Sequence, residues 1–371
     1  MTLTRRSYLT KSVLALGGLA LGGLTFPAMP VRAERVAHPL RARLSLNENP
    51  FGPSPQAIAA IQDQFGELSR YVDGPADVLT PAIVAAENIS ADQIVLGEIL
   101  EALGLFLAKD GPIGGEFIYS EPGYTALVNA VGPGGGGVIG VPLDPNLQND
   151  LAAIAAKVTP RTRAIYLVNP HNPTGTVSDA VTFAAFVREM SRRTLVIVDE
   201  AYLEFEPDFD ARTVVGLTRS GENVVVFRTF GKMYGLAGLA VGYALAPRPL
   251  AASLKRAGIG TPQTLTGPAL AAAAASLRDE YYVATTRAKV VAERQKWHRL
   301  FDTMQLRHAD SRGNFVFFET GRPHREVAEA LGAKGIEIGR AFPGYDRWVR
   351  ISIGLPEENA MARTAIADML K

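Results

Sequence analysis

Between Asp92 and Ala246 seven short apolar runs alternate with stretches of helical character, and this alternation most constrains the fold. The runs are Gln93–Gly97, Glu116–Ser120, Val138–Val141, Ala164–Val168, Leu195–Val198, Val224–Phe227 and Val241–Ala246. A strand with one wet face alternates apolar and polar residues, whereas a strand covered on both faces is apolar throughout. These runs are of the second kind, and their alternation with helices predicts an α/β chain built on a mostly parallel sheet. In such sheets ligands collect beyond the carboxyl ends of the strands. Asn169, Asp199 and Thr229 each fall just after a run, where a site is expected.

The segments on either side read differently. Pro249–Met304 is alanine-rich and helical, broken near Gly258–Pro268, and three further strands are predicted at Phe315–Glu319, Ile336–Ile338 and Val349–Ile353. The division expected is a large domain over 76–250 and a smaller α/β domain over 251–371, with 34–75 as an N-terminal arm and part of the small domain. Gly132-Pro-Gly-Gly-Gly-Gly137 has neither the spacing of a dinucleotide fingerprint nor the lysine of a phosphate loop, and reads as a helix-to-strand connection.

Residues 1–33 read as an export signal. Thr4-Arg5-Arg6-Ser7 carries paired arginines, an apolar run follows from Val13 to Phe26, and Val31-Arg32-Ala33 offers a cleavage site. That pattern is a twin-arginine signal, with a general secretory signal or an uncleaved anchor as competitors. The run is short and glycine-rich for a membrane span, so no stable membrane anchoring is expected. The location expected is therefore exported and periplasmic. Cleavage after Ala33 removes four basic residues and no acidic one, which takes the formal charge from +1 to −3. That balance, with no basic stripe, argues against a nucleic-acid partner. There is no cysteine, which excludes disulfides, thiolate nucleophiles and cysteine metal sites. His38, His171, His298, His308 and His324 show no metal-ligand spacing, so no metal is expected.

The chemistry concentrates in a few segments. Arg228–Tyr243, RTFGKMYGLAGLAVGY, sets Lys232 between an apolar run and a glycine-rich turn. Asn169-Pro-His-Asn-Pro-Thr-Gly175 and Asp199-Glu-Ala-Tyr202 follow successive runs. Leu46-Asn-Glu-Asn-Pro-Phe-Gly52 and Glu121-Pro-Gly-Tyr124 lie earlier, and Arg350-Ile-Ser-Ile-Gly-Leu-Pro-Glu-Glu-Asn359 comes late. Taken singly, each has an ordinary reading: most lysines are solvated, a strand-end aspartate often caps a helix, and a lone tyrosine usually just packs.

Together and in this order they resemble the fold-type I aminotransferases of class I/II that use pyridoxal 5′-phosphate, in particular the branch containing histidinol-phosphate aminotransferases. The likeness runs over essentially the whole chain after the signal. It implies the aspartate-aminotransferase-like fold: a seven-stranded, mostly parallel sheet in a large domain plus a smaller α/β domain. It also implies a homodimer. By resemblance Lys232 holds the cofactor as a Schiff base and moves protons at the substrate α-carbon. Asp199 matches the carboxylate that keeps the pyridine nitrogen protonated. Asn172 and Tyr202 match the groups on the ring's phenolic oxygen, and Tyr124 the aromatic stacked on the ring. Thr229 matches a phosphate contact, and Tyr71 a tyrosine reaching the phosphate from a neighbouring subunit. Arg350 matches the arginine that clamps the substrate carboxylate with two parallel donors. Asn314 is expected to assist it, Arg340 to offer a second anion contact, and Asn49 to line the substrate entrance.

Three positions depart from the resemblance, all at the phosphate end. Where relatives have a Gly-Ser-type turn at a helix start, this chain reads Gly97-Glu98-Ile99-Leu100-Glu101. Gly231 stands where serine is usual, and Ala240 where arginine is usual. The expectation is that the phosphate is held by rearranged groups or that cofactor affinity is low.

Three functions compete. The first is transfer of an amino group from an amino acid or related amine to a 2-oxo acid by a ping-pong route. The second is another pyridoxal reaction at the α-carbon, by a decarboxylase, oxidase or lyase, which release of carbon dioxide or ammonia would reveal. The third is a non-catalytic relative, against which the retention of Lys232, Asp199, Asn172, Tyr202 and Arg350 argues. Histidine biosynthesis is cytoplasmic, so an exported chain is an odd candidate for histidinol-phosphate transamination.

Overall fold

The computed structural model describes residues 39–111 and 114–371; the export signal expected over 1–33 lies outside them. The described residues contain eleven strands: β1 (Ala42–Leu44), β2 (Ile94–Leu96), β3 (Glu116–Glu121), β4 (Gly137–Pro142), β5 (Thr162–Val168), β6 (Leu195–Asp199), β7 (Val224–Thr229), β8 (Gly242–Leu245), β9 (Phe315–Glu319), β10 (Ile336–Ile338) and β11 (Trp348–Ser352). Seven form one sheet in the order β2-β8-β7-β6-β5-β3-β4. Only β8 runs against the rest, pairing antiparallel with both β2 and β7. All seven apolar runs of the sequence are strands here.

Burial on both faces is visible residue by residue. Val196 and Val198 of β6 join Val224 and Val226 of β7 in one core cluster, while Leu195 and Ile197 join Val225 and Phe227 in another on the opposite face. This period of two across a continuous apolar run is the pleat of a fully covered sheet. Each such side chain contributes about 1.5–3 kcal/mol by leaving water. On the first face the sheet end also carries Arg228, 1% exposed, bonded to Glu200 at 2.9 Å with Glu87 and Glu204 beside it. This buried ionic cluster ties the β6 and β7 ends to helix Asp73–Glu87.

The remaining strands make two small sheets: β1 beside β10, parallel, and β9 beside β11, antiparallel. A third cluster, with Trp297, Phe301, Phe315, Phe318 and Ile351, lies under them, and the long helix Glu280–Thr303 supplies two of its aromatics. One boundary of the sequence reading shifts. Helix Gly267–Arg278, grouped there with the C-terminal domain, packs on helices Pro55–Asp63 and Asp73–Glu87. Its Ala269, Leu270 and Ala273 belong to the core of the large sheet. Its alanines suit close helix packing, and alanine content says nothing about which partner is chosen. Gly132–Gly134 is a short 3-10 turn, and β4 begins at Gly137, so the glycine run is the helix-to-strand connection expected.

Among the described residues no helix is long and apolar enough to cross a membrane, and no cluster of three metal-binding side chains occurs.

Candidate active site

β5, β6 and β7 run parallel, so their carboxyl ends share one edge, and Val168 pairs with Asp199 there. Lys232 lies in the connection that turns from β7 back to β8. That turn needs its glycine: Gly235 has φ +70°, and a Cβ on it would stand 2.5 Å from the carbonyl carbon of Gly52. The close approach brings the lysine segment against the turn that carries Asn47 and Asn49. Lys232 Nζ donates to the Leu46 carbonyl at 3.1 Å and stands 5.8 Å from the centre of the Tyr202 ring.

Asp199 is 1% exposed. It accepts from the Tyr166 hydroxyl at 2.9 Å and from the Ala201 amide at 3.0 Å. Burial pushes its carboxyl up to about 6, against the pull of these two donors and of Lys232. A buried carboxylate whose bonded partners are neutral is a ready receptor for a cation. Tyr166 was not foreseen in the sequence. It sits inside an apolar run, where a tyrosine reads as packing, and only the register of β5 on β6 turns its hydroxyl toward Asp199.

A chain of hydrogen bonds leads away from this carboxylate end. The Tyr202 hydroxyl accepts from Asn47 and from Asn172, both at 3.2 Å. The Asn172 amide oxygen accepts from Arg350 at 2.6 Å, and Arg350 also donates to the Ser45 carbonyl at 2.9 Å. Among the described residues neither partner of Arg350 is charged and its buried Nε has no partner, and burial lowers its pKa. A guanidinium taken from water without a carboxylate to balance it is an anion receptor.

Two connecting cavities meet at Tyr124, Tyr202, Lys232 and Ala237. The inner one, about 230 Å³, is also lined by Asp199, Phe227, Thr229, Gly231, Ala240 and Glu98. The outer one, about 790 Å³, reaches Asn172, Arg340 and Arg350. Tyr124 is half open at their junction. Arg340 is exposed at the rim with its guanidinium 4.5 Å from the centre of the Phe342 ring.

Three expected site residues stand elsewhere. The Asn49 amide donates to the Met233 carbonyl at 2.7 Å and to the Tyr282 hydroxyl at 2.9 Å, and its oxygen accepts from the Phe51 amide. With all its capacity directed into the fold, it lines a separate cleft rather than the cavity of Lys232. The asparagine of that turn facing the site is Asn47, whose φ of +55° aims its side chain at Tyr202. Asn314 is fully buried and donates to the Asn47 and Glu48 carbonyls, so it props the turn from behind. Tyr71 is 90% exposed, in a surface hollow with Arg70 and Leu265, apart from its own chain's site.

The residues at the other end of the inner cavity are of a different kind. The Thr229 hydroxyl is bonded to the Glu98 carboxylate and accepts from the Gly231 amide at 2.9 Å. Ala240 lies in the left-handed region with φ +47°, where a side chain is uncommon.

A mostly parallel sheet with a lysine, a buried carboxylate and an arginine bonded only to neutral groups converging beyond its strand ends defines a transferase of the aspartate-aminotransferase-like fold. The chain belongs to the family Aminotransferase class I and II, which it matches over residues 42–366. It is 35% identical to the histidinol-phosphate aminotransferase of Limosilactobacillus fermentum, covering 93% of this chain and 96% of the relative. A putative histidinol-phosphate aminotransferase from Erwinia carotovora atroseptica superposes with a TM-score of 0.83 at 29% identity, over 88% of this chain and 95% of that one. The histidinol-phosphate aminotransferase of Sinorhizobium meliloti, solved in complex with pyridoxal 5′-phosphate, gives 0.81 at 29% identity, over 90% and 91%.

Proposed function

We propose that this chain is a pyridoxal 5′-phosphate-dependent aminotransferase that moves an amino group from an amino acid or related amine to a 2-oxo acid. The observation that carries it is the convergence of Lys232, Asp199 and the Tyr202–Asn172–Arg350 chain on one pair of cavities. These residues fit the ring of the cofactor: a buried carboxylate without a bonded cation suits a protonated pyridine nitrogen, and the Tyr202–Asn172 pair suits its phenolic oxygen. When bound, the cofactor supplies the electron sink that makes the substrate α-proton removable.

The remaining chemistry belongs to the protein. Asp199 holds a proton on the ring nitrogen by charge pairing, in a site dry enough for the pair to be strong. Tyr202, fixed by two asparagine donors and packed edge-on against Phe315 at 5.1 Å, sets the proton affinity of the phenolic oxygen. Tyr124 covers the ring. Arg350 binds the substrate carboxylate, and Asn172 holds its guanidinium in line with Tyr202. Lys232 takes the substrate α-proton and would return it to the carbon two bonds away, the 1,3-shift that transamination requires. Its amine must leave the Leu46 carbonyl to do so. Arg340, at the rim, meets a second anionic group of the substrate.

The unit we propose is an exported homodimer. The paired-arginine leader supports export. Tyr71, 90% exposed, with Phe65 and Leu68 at 60% and 67%, supports a partner surface from which Tyr71 reaches the neighbouring site. The acceptor is a small 2-oxo acid and the donor an amine-bearing metabolite met outside the cytoplasm.

The test is the visible spectrum of the purified protein loaded with pyridoxal 5′-phosphate. A panel of amino acids is added, then a 2-oxo acid. Conversion of the lysine-bound band by the donor and its return with the oxo acid are expected. Release of ammonia or carbon dioxide in place of that return would overturn the aminotransferase reading.

A further inference from the structure

The covalent layout of the cofactor decides which residues meet its phosphate. In pyridoxal 5′-phosphate the 3-oxygen and the 5-substituent flank the aldehyde on opposite sides of the ring. With the 3-oxygen toward Tyr202 and Asn172, the phosphate falls at the opposite end of the inner cavity, among Glu98, Thr229, Gly231 and Ala240. Among the described residues lining that cavity the single cation is Lys232, and it is committed to the aldehyde. The phosphate end therefore does not fit a dianion as it stands. It offers a carboxyl group and a hydroxyl already bonded to that carboxyl.

We propose that Glu98 is a cofactor-binding and specificity-determining residue: its carboxyl takes up a proton and binds the phosphate through that proton, in place of a cation. The inference rests on the pyridoxal 5′-phosphate reading given above. An ionised Glu98 repels the phosphate, whereas a protonated one is an O–H donor toward a phosphate oxygen and still accepts from Thr229.

The surroundings of Glu98 favour the protonated form. Asp199 faces it from the end of β6 and Tyr124 from the loop after β3, and Glu98 itself lies just before helix Leu100–Lys109. β8 meets it only with Gly242, where a Cβ would stand 3.0 Å from Glu98 Oε1, so no cation comes from that side. Among the described residues Lys232 is the one positive group acting on it. Burial pushes Glu98 up to about 7, with Thr229 pulling it down, Asp199 adding to the rise and Lys232 opposing it. The Glu98 side chain is nonetheless exposed toward the cavity, so water screens these effects in the free protein. A cofactor filling that cavity displaces this water, and its phosphate charge raises the carboxyl further.

The sign follows. Below the pKa of Glu98 in the free protein the carboxyl already carries the proton, and affinity is insensitive to its titration. Above it, binding takes up the proton, and affinity falls by up to about tenfold per pH unit until the bound-state pKa is passed. Pyridoxal, with no phosphate, does not share this dependence. The preference for the phosphorylated form therefore narrows as pH rises.

The experiment is calorimetric titration of the full-length apoprotein with pyridoxal 5′-phosphate and with pyridoxal from pH 6 to 9. Two buffers of different ionisation heat count the protons taken up. The expected result at pH 8 is that the phosphorylated form takes up more protons than pyridoxal does, by up to one. Glu98→Gln, which keeps the size and supplies an N–H donor, should remove the excess and bind the phosphorylated form at least about tenfold more tightly at pH 8. Protons released by the cofactor itself are common to both proteins and cancel. Equal proton uptake for the two ligands in the wild type overturns the proposal without recourse to any variant. So does a Glu98→Gln protein that keeps the wild-type pH slope or binds more weakly at pH 8. Failure of the wild type to bind pyridoxal 5′-phosphate at any pH would instead sink the cofactor assignment, and this inference with it.

Discussion

The two ends of the inner cavity are built on opposite plans. At the ring end, Asp199, Tyr166, Tyr202, Asn47, Asn172 and Arg350 form two hydrogen-bonded sets, one on the Asp199 carboxylate and one running from Tyr202 to Arg350. At the phosphate end the acidic group is Glu98, Lys232 is the single cation among the described residues lining the cavity, and the threonine hydroxyl is bonded to Glu98. The ring end is assembled from three strand ends and two distant turns, so changing one residue disturbs several. The phosphate end is a helix start and a loop, where single replacements cost the fold little. The chemistry is held by the part of the site that the sheet rigidifies, and the cofactor's grip by the part that can vary.

The largest effect that can break this contrast is at the ring end. Asp199→Asn should lower kcat by about 10²-fold or more, the usual worth of a preorganised charge in a dry site. The same change should stabilise the apoprotein. The native carboxyl is raised from 3.8 to about 6, so the wild type loses stability as pH rises from near 4 to 6 and stays at that lower level above. Thermal melts at pH 7 should place Asp199→Asn above the wild type, by an amount on the order of 2–3 kcal/mol. Equal melts would mean that water or a counter-ion already relieves the buried charge.

Arg350→Lys comes next. A lysine cannot reach Asn172 and the Ser45 carbonyl while offering two parallel donors. The Michaelis constant for the amino donor should rise about 10- to 100-fold, with cofactor absorbance retained. A loss of cofactor binding as large as the loss in substrate binding would show that the guanidinium serves the ring instead. Ala240→Arg works on the other end and in the opposite direction: it should tighten pyridoxal 5′-phosphate binding about 10-fold or more by adding a charge-assisted contact. The left-handed φ of +47° at this position moderates the gain. Unchanged affinity, read by equilibrium titration, would show that the phosphate lies elsewhere. The smallest catalytic effect belongs to Asn49→Ala. It should lower the melting temperature, at a cost of about 1–3 kcal/mol for its unpaired partners, and leave the Michaelis constant within about twofold. A large change in the Michaelis constant would return Asn49 to the substrate path.

Much of this is legible in the sequence. All seven apolar runs became strands; those inside the sheet are buried on both faces and so have no polar face to hide them, while β4 at the edge, with Val138 43% exposed, is only partly covered. Lys232, Asp199, Asn172, Tyr202 and Arg350 were picked out by motifs whose residue types suit one chemistry, and they do converge. The misreadings share a cause. Asn47 and Asn49 sit two residues apart in one turn, and the backbone conformation at Asn47 decides which faces Tyr202. Tyr166 looks like packing until strand register sets its hydroxyl beside Asp199. Helix Gly267–Arg278 shows its composition in the sequence, and only packing reveals that it lies on the large sheet.

By itself the sequence determined a covered, mostly parallel sheet, a lysine and its ring-side partners, and the absence of cysteine chemistry, since these follow from residue type and local period. The tertiary structure decided which side chains spend their hydrogen bonds on the fold and which point into the cavity. It also decided that Glu98 and Thr229, 131 positions apart, are bonded to each other. A partnership of that kind depends on the meeting of a helix start with a strand end, and no local pattern records it.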